Sequence, residues 1–321
     1  MSVKEIRRIM RSGGSLVVSL PREWVETRKI KPGDNIELLV TKDAIIVKTL
    51  SVEKLERTSY LKYQKDIRHL VNSVVAAYLL GCSSIVIDLP KTVKDLFDVE
   101  FSKVKNKLMG LEIVEYSNNK LILKTLTDPI ELPPIDILKR MWQITRESIE
   151  ESITSILEED IQQAERVVQK DDEVDKLYFY TVRILRSCAE DPTLQTRLNL
   201  SNINLLDFRI AAYLLENIND RTLEIALTTQ QGILKMLDKV FLEKLNISKA
   251  LLKDNHDDVY RIFFNNETDL LYGLLGRINK IKTELTLSRL TSRELSIYEQ
   301  VSMIARMQYD LAELSWVPLT R

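Results

Sequence analysis

Two pairs of acidic residues in the second half of the chain have the spacing of one helical turn. Asp171 and Asp175 lie in the run KDDEVDKLYFY, and Glu216 and Asp220 lie in LLENINDRTLEIA. Side chains four residues apart share one face of a helix, where two carboxylates repel each other by a few tenths of a kcal/mol. A solvated charge run on a helix is the alternative interpretation, and the pairs by themselves leave both open.

A second group of charged residues is basic and lies near the start of the chain. Residues 1–31 hold eight Lys or Arg and three Asp or Glu, and residues 1–50 have a formal charge of +4, whereas residues 135–321 have −6. The net charge of −1 argues against a general polyanion binder. The basic segment is therefore either a local phosphate-binding surface or a solvated surface without that role.

Few residues are available for other kinds of catalytic or metal chemistry. The chain has two cysteines, Cys82 and Cys188, and two histidines, His69 and His256. None of them has the spacing of a zinc site, of a nucleophile with its base, or of the Glu-x-x-His ligands in carboxylate-bridged metal enzymes. We therefore expect that the protein is not an enzyme and that both cysteines are small buried hydrophobic residues.

Glycine and proline indicate where the chain needs turns. There are only eight of each, and eleven of these sixteen lie at or before Pro134. This asymmetry predicts a mixed first part with turns and a second part of long helices. The longest apolar run, from Val74 to Leu80, is far shorter than the roughly 18 residues of a membrane span, so we expect a soluble, cytoplasmic protein.

Residues 1–50 have the pattern of four short strands and one helix. Strands are predicted in KEIRRIM, LVVSL, NIELLV and AIIVKTL, with a turn at residues 41–43, and Pro21 opens the helix PREWVETRKI. So small a segment needs a partner chain to bury a core. The runs GGSLVVSLP and KPGD have the spacing found in the SpoVT/AbrB swapped-hairpin domain of AbrB-type regulators and MazE-type antitoxins, and the whole segment resembles that domain.

This resemblance implies a homodimer whose strands interleave into one barrel and which binds double-stranded DNA. A dimer would carry about +10 over residues 1–31 by charge counting. Trp24 is expected to pack in the dimer core, which favours contact with a duplex over stacking on single strands. Carried onto this chain, the DNA-binding residues are Arg7, Arg8, Arg11, Arg22, Arg28 and Lys29.

Residues 51–130 are predicted to form a small α/β connector of the order αβαββ. The pattern gives a long helix over residues 55–81 that Gly81 ends, a strand in SSIVIDL, a helix through FSKVKNKLMG, and a hairpin that turns at Asn118 and Asn119. No phosphate-binding loop or catalytic group is apparent, so we expect this segment to serve packing and dimer contact. The proline-rich residues 127–134 are the predicted linker to the next domain.

Residues 135–316 repeat the apolar stripe of amphipathic helices almost without interruption. Six helices are predicted, near residues 135–158, 160–190, 195–229, 230–247, 254–284 and 287–316, in two halves of three. This paired three-helix repeat, with D-x-x-x-D on one helix and L-E-x-I-x-D on the next, resembles PhoU. The expected fold class is multidomain and mainly α, with a swapped-hairpin barrel, an α/β connector and a PhoU-like pair of three-helix bundles.

In the PhoU family, carboxylates from two helices of a repeat can hold metal ions. A cation offsets the repulsion between the carboxylates, and oxygen ligands suit Mg²⁺, Mn²⁺ or iron. The resemblance carries this role onto Asp171, Asp175, Glu216 and Asp220.

The second repeat departs from the family pattern. Its corresponding pairs are Asn265 with Asp269 and Arg306 with Asp310, in which a carboxylate is replaced by an amide or a guanidinium. We therefore expect at most one occupied metal site, and in the second repeat an ion pair from Arg306 to one of the two aspartates.

The AbrB-like domain, the connector and the PhoU-like bundle together resemble archaeal-type phosphate uptake regulators, in which the two families are fused. This resemblance implies a DNA-binding transcriptional regulator of phosphate homeostasis whose bundle senses a ligand or docks a partner. The alternative is an adaptor that docks a phosphate transporter or sensor protein and uses its first domain only to dimerise. An antitoxin role is also open for the first domain alone.

Overall fold

The structure is a computed structural model that describes residues 5–40, 44–49, 57–117, 119–230, 232, 237–285 and 290–315. The predicted turn at residues 41–43 and Asn118 of the predicted hairpin turn lie outside these ranges. The chain divides into two compact units, Met1–Glu56 and Arg57–Arg321. The α/β connector and the helical part therefore belong to the same unit.

The first unit consists of two hairpins and a short helix. β1 (Met10–Ser12) and β2 (Ser15–Val17) pair antiparallel, α1 (Arg22–Thr27) follows, and β3 (Ile36–Val40) and β4 (Ile45–Thr49) form the second antiparallel pair. The predicted strand KEIRRIM is wrong except for its last residue, since residues 5–9 form no strand. None of the residues described in this unit is buried.

The α/β connector is a four-stranded sheet with two helices. Its elements are β5 (Thr58–Lys62), α2 (Ile67–Leu79), β6 (Ser84–Asp88), α3 (Lys94–Lys105), β7 (Leu111–Ser117) and β8 (Lys120–Thr125). The strands lie in the order β5-β6-β8-β7, with β5 parallel to β6 and the other pairs antiparallel. Val74 and Phe97 of the helices share one buried core with Ile85 and Ile87 of β6.

The helix predicted over residues 55–81 is wrong at its start. Residues 58–62 form β5 because they pair with β6 in parallel register, a contact that local helix propensity does not reveal. The helix begins after Asp66, whose side chain accepts hydrogen bonds from the backbone N–H groups of Arg68 and His69. Gly81 ends it as predicted, with a φ of +82°. The connector is therefore βαβαββ rather than αβαββ.

The helical part contains six long helices and one short helix within the described residues. None of them combines the length and apolarity that crossing a membrane requires. Their bounds are α4 (Pro134–Glu158), α5 (Ile161–Glu190), α6 (Pro192–Arg197), α7 (Asn202–Gln230), α8 (Lys239–Asn265), α9 (Leu271–Leu285) and α10 (Ser292–Glu313).

Several of the predicted helix boundaries are wrong. α8 begins at Lys239 rather than near residue 230, and the helix predicted over residues 254–284 is interrupted between Asn265 and Leu271. The helix predicted over residues 195–229 is divided into α6 and α7, and Asn199 between them has a left-handed φ of +53°. The break predicted between residues 247 and 254 does not occur, because α8 continues until Asn266 adopts a φ of +58°. Asn255 and His256, in a run that is polar enough for a loop, are instead fully buried in α8.

One continuous core joins the two halves of the helical part. Buried side chains of α4, α5 and α7 pack with those of α8, α9 and α10. At the centre, the Trp142 ring donates through Nε1 to the carbonyl of His256 at 3.2 Å, and Nε2 of His256 lies 3.0 Å from the carbonyl of Trp142. Burial lowers the pKa of His256 to about 4, so the ring is neutral and Nε2 carries its proton.

The α/β connector packs on one side of α5, along a stripe that we call the docking face of α5. Its residues recur at intervals of four and then three: Asp175, Phe179, Arg183, Ser187 and Glu190. Phe179 packs on the connector core, and Glu190 forms an ion pair with Arg57. The docking face therefore contacts the connector along slightly more than half of a 30-residue helix.

Arg183 lies at the centre of the docking face and is only 9% exposed. Its Nη1 donates to the carbonyl of Tyr78 at 2.6 Å and its Nη2 to the carbonyl of Gly81 at 3.4 Å, while its guanidinium lies 4.8 Å from the centre of the Tyr78 ring. These carbonyls end α2, where a cation is favoured by the helix dipole. The guanidinium thus caps α2 from the neighbouring helix.

Replacing Gly81 by alanine should destabilise the protein more than the same change at Gly232. Both glycines have positive φ, +82° and +67°, so both substitutions cost about 1 kcal/mol of backbone strain. Of these two positions, and among the described residues, only Gly81 brings the new Cβ against another atom, the Ser187 Oγ at 2.3 Å. We expect the free energy of unfolding, measured by urea denaturation, to fall by at least about 1 kcal/mol more in Gly81→Ala than in Gly232→Ala.

The added Ser187→Ala change tests the cause of this loss. It removes the Oγ and leaves the Ser187 Cβ 3.5 Å away, an ordinary contact. The double variant should recover the difference between the two glycine variants. Equal losses at Gly81 and Gly232 would contradict the close packing of α2 on α5.

Candidate functional site

The six predicted DNA-binding residues are all exposed in the first unit. Arg7 and Arg8 precede β1, Arg11 lies on it, and Arg22 begins α1. Arg28 is the C-terminal cap of α1, and Lys29 follows with a φ of +54°. They lie around the first hairpin and the helix.

Two of these arginines have acidic neighbours in the same unit. Arg7 pairs with Glu5, and the Nε of Arg22 lies 2.8 Å from Glu26 Oε1. Exposed pairs of this kind contribute little to stability and break readily when a stronger anion is present. Both guanidiniums are therefore available to a phosphate group.

Large apolar side chains of the same unit are exposed as well. Ile6, Leu16 and Val40 are 91%, 71% and 72% exposed. Two two-stranded sheets have too little surface to cover such residues. A single copy of this unit therefore leaves its apolar side chains in water.

The predicted carboxylates lie on two helices that pack together. Asp171 and Asp175 belong to α5, and Glu216 and Asp220 belong to α7. Their charges act on one another: burial, with neighbouring carboxylates adding to it, raises the pKa of Asp171 to about 6 and that of Glu216 to about 7. Burial and the charge of Asp175 also raise the pKa of Asp220. We refer to these four residues as the carboxylate cluster.

Two further side chains, both missed by the sequence analysis, complete the surroundings of the carboxylate cluster. The Nδ2 of Asn219, a fully buried residue of α7, donates to Asp171 Oδ1 at 2.8 Å. Lys107, in the turn between α3 and β7, forms an ion pair with Asp175. Burial lowers the pKa of Lys107, but the hydrogen bond and the charge of Asp175 outweigh it, and the net change is upward.

The arrangement of the cluster does not fit a resident metal ion. Oxygen donors are present, but Asp175 is held by Lys107 and Asp171 by Asn219. In the part of the chain that the structure describes, no three acidic, histidine or cysteine side chains are grouped so that they could hold a metal. The divalent cation at this cluster stays a prediction of the PhoU resemblance that this arrangement does not support.

The ion pairs of the second repeat differ from the predicted one. Among the described residues, Arg306 forms no ion pair with Asp269 or Asp310, so that prediction is wrong; its charge only opposes the burial that raises the pKa of Asp310. The ion pairs of this repeat lie elsewhere. Asp258 pairs with Arg277, and Glu267 pairs with Arg261.

Both cysteines are free and buried, as predicted. His69 is exposed on α2, and His256 belongs to the core described above. His69 lines a pocket with Asp66 and Ser73, and the Ser73 hydroxyl donates to the backbone carbonyl of His69 rather than to its ring. The predicted functional groups are the basic surface and the carboxylate cluster.

Comparison with protein families places two known domains on these elements. Residues 138–229 match the PhoU domain, and residues 9–54 match the family described as antidote-toxin recognition MazE, bacterial antitoxin. The chain joins a MazE-type domain to a PhoU domain. Searches of curated proteins and of solved structures found no match.

The matched ranges separate the functional residues into three groups. The carboxylate cluster and Asn219 lie inside the PhoU domain, and five of the six basic residues lie inside or within one residue of the MazE-type match, with Arg7 two residues before it. Lys107 lies outside both. Its part in the cluster is therefore a property of this chain's connector and not of either matched domain.

Glu216→Gln should stabilise the protein at pH 8 and have little effect at pH 5. Because the folded pKa of Glu216, about 7, lies above its ordinary value of 4.5, its contribution to stability is present below pH 4.5 and is lost as the pH rises through 7. Gln cannot ionise, so the variant keeps the part of the free energy of unfolding that the native protein loses. This part is roughly 1 kcal/mol after allowance for solvent screening. Urea denaturation in chelating buffer measures the difference.

Glu165→Gln is the matched control, because Glu165 is exposed on α5 and lies outside the carboxylate cluster. It should show no gain that grows between pH 5 and pH 8. A Glu216→Gln effect that is equal at the two pH values would contradict the crowding of the four carboxylates.

Proposed function

We propose that this chain is a homodimeric, DNA-binding transcriptional regulator of phosphate uptake or homeostasis, with its PhoU domain as the sensing or docking part. Both matched families are regulatory and non-catalytic, which supports a regulator rather than an enzyme. The observation that carries the proposal is the first unit, which combines uncovered apolar residues with six exposed basic ones.

Dimerisation follows from the energetic cost of the uncovered apolar residues. Burial of apolar surface contributes roughly 25 cal/mol per Å², and no described residue of this unit is buried within one chain. A second copy of the same segment supplies strands of matching length and character. The two copies together form one core, as the resemblance to swapped-hairpin domains implies.

DNA binding follows from charge and exposure. Two copies of residues 1–31 would bring sixteen basic and six acidic side chains together, twice the eight and three of one copy. A patch with this excess attracts a phosphate backbone and releases its counterions. The acidic helical part, with a formal charge of −6, would be repelled by the same duplex and left free for a ligand or a partner.

An adaptor that docks a transporter or sensor protein is the second candidate. It is favoured by α7, which exposes Ile203, Leu206, Ile210 and Tyr213 at three- and four-residue spacing. An apolar stripe of this kind is typical of helices that contact another protein. In this case the first unit would serve dimerisation only, and its arginines would be dispensable.

Replacing Arg7, Arg8 and Arg11 by alanine distinguishes the two candidates. Fluorescence anisotropy with a labelled duplex, repeated over a range of salt concentrations, gives the slope of log K against log salt. Each lost phosphate contact reduces this slope by roughly 0.9. The triple variant removes six arginines from a dimer, so its slope should be smaller by up to about 5. The control removes three exposed charges from the helical part, Lys176, Arg197 and Lys280, and should leave the slope unchanged.

DNA binding by the triple variant with the native slope would contradict the assignment of these arginines. Absence of DNA binding by the native protein, or native binding that does not depend on salt, would contradict the regulator and favour the adaptor.

Leu16→Asp combined with Val40→Asp should convert the dimer to a monomer. Both side chains are more than two-thirds exposed in one chain, and a carboxylate buried between two copies costs several kcal/mol. Sedimentation velocity measures the mass, with Leu206→Asp on α7 as the control that should remain dimeric. A native protein that sediments as a monomer at micromolar concentration would contradict the proposal.

A further inference from the structure

We infer that Lys107 is the built-in counter-cation of the carboxylate cluster, in the place for which the PhoU resemblance predicts a metal ion, and that this contact fastens the connector to the PhoU domain. Lys107 would then act as a latch: its ammonium group holds the turn between α3 and β7 on the bundle. Metal ions could reach the cluster only by displacing it.

The contact itself has the character of a specific ion pair. The Asp175 side chain is only 9% exposed, whereas that of Lys107 is 38% exposed. A carboxylate so far from solvent must be compensated by a nearby positive charge. In the described residues the cationic group within ion-pair distance of Asp175 is the Lys107 ammonium.

The influence of Lys107 extends to the other three carboxylates. Its positive charge opposes the upward pKa shifts of Asp171, Glu216 and Asp220, in each case against the repulsion of their acidic neighbours. One ammonium group therefore acts on all four members of the cluster. This is the electrostatic role that a cation would otherwise have there.

The turn that carries Lys107 is positioned by several other contacts. The Tyr78 hydroxyl donates to the carbonyl of Met109 at 3.0 Å, and the Leu126 N–H donates to the carbonyl of Gly110 at 2.8 Å. Gly110 has a φ of +73°, and a Cβ there would lie 2.5 Å from Thr127. The backbone around Lys107 is thus fixed by the connector before its side chain reaches α5.

The same turn also touches the bundle core. Met109, two residues after Lys107, packs against the core of the helical part, while Leu108 is buried in the connector core. Release of the ammonium group would therefore loosen an apolar contact as well. Displacement of the Lys107 ammonium group by a metal ion and opening of this turn would therefore occur together.

The test combines metal binding with exchange of the turn. Native protein, Lys107→Met and Lys105→Met are titrated with Mn²⁺ by equilibrium dialysis, and hydrogen–deuterium exchange is followed over residues 106–110. Lys105 is the matched control, because it pairs with Glu112 of the connector at 2.8 Å and has similar exposure, 42% against 38%.

We expect Lys107→Met to bind Mn²⁺ about tenfold more tightly than the native protein, since one uncompensated charge is left on the bundle. We expect the amide hydrogens of residues 106–110 to exchange about tenfold faster in this variant. Lys105→Met should match the native protein in both measurements. Lys107→Arg keeps the charge and should also resemble the native protein.

Two results would overturn the inference. Equal Mn²⁺ affinity in native protein and Lys107→Met, whether both bind or neither does, would show that lysine and metal do not compete. Unchanged exchange of the turn in Lys107→Met would show that the contact does not fasten it. If Lys107→Met does not fold, Asp175→Asn breaks the pair from the other side and must speed exchange of the same turn.

Discussion

The buried guanidinium of Arg183 is the contact on which the arrangement of the second unit depends. It is 9% exposed, and its hydrogen bonds go to the carbonyls of Tyr78 and Gly81 at the end of α2. A charge removed from water must be compensated, and here the helix dipole and two carbonyls do so. Because the guanidinium belongs to α5 and the carbonyls to the connector, Arg183 loses both partners if the two parts separate.

Once α2 is fixed on α5, the rest of the docking face follows. Gly81 is the residue that lets α2 end within contact distance of Ser187, and Phe179 covers the connector core beside it. Two turns before Arg183, Asp175 meets the turn that holds Lys107. A helix of the PhoU domain thus supports the domain's own core on one side and the connector on the other, and its carboxylates belong to both contacts.

Local patterns predicted α4 and α5 well, whereas contacts between distant segments could not be predicted. α4 and α5 agree with their predicted bounds because Pro134, Asp160 and an unbroken apolar stripe are local signals. β5 was missed because its strand conformation comes from pairing with β6. The continuation of α8 past residue 253 depends on Trp142, which buries His256 from another helix. Lys107 resembles any surface lysine until its partner on α5 is known.

Hydrogen–deuterium exchange of Arg183→Met is the most direct test of the claim that α5 organises the second unit. We expect that amides of α2 and of residues 106–110 lose protection together, while α10, which packs on α7, α8 and α9, keeps its protection. Arg186→Met, an exposed arginine on the same helix, should change neither. Protection of α2 and of that turn at native levels in Arg183→Met would show that α5 does not hold the connector through Arg183.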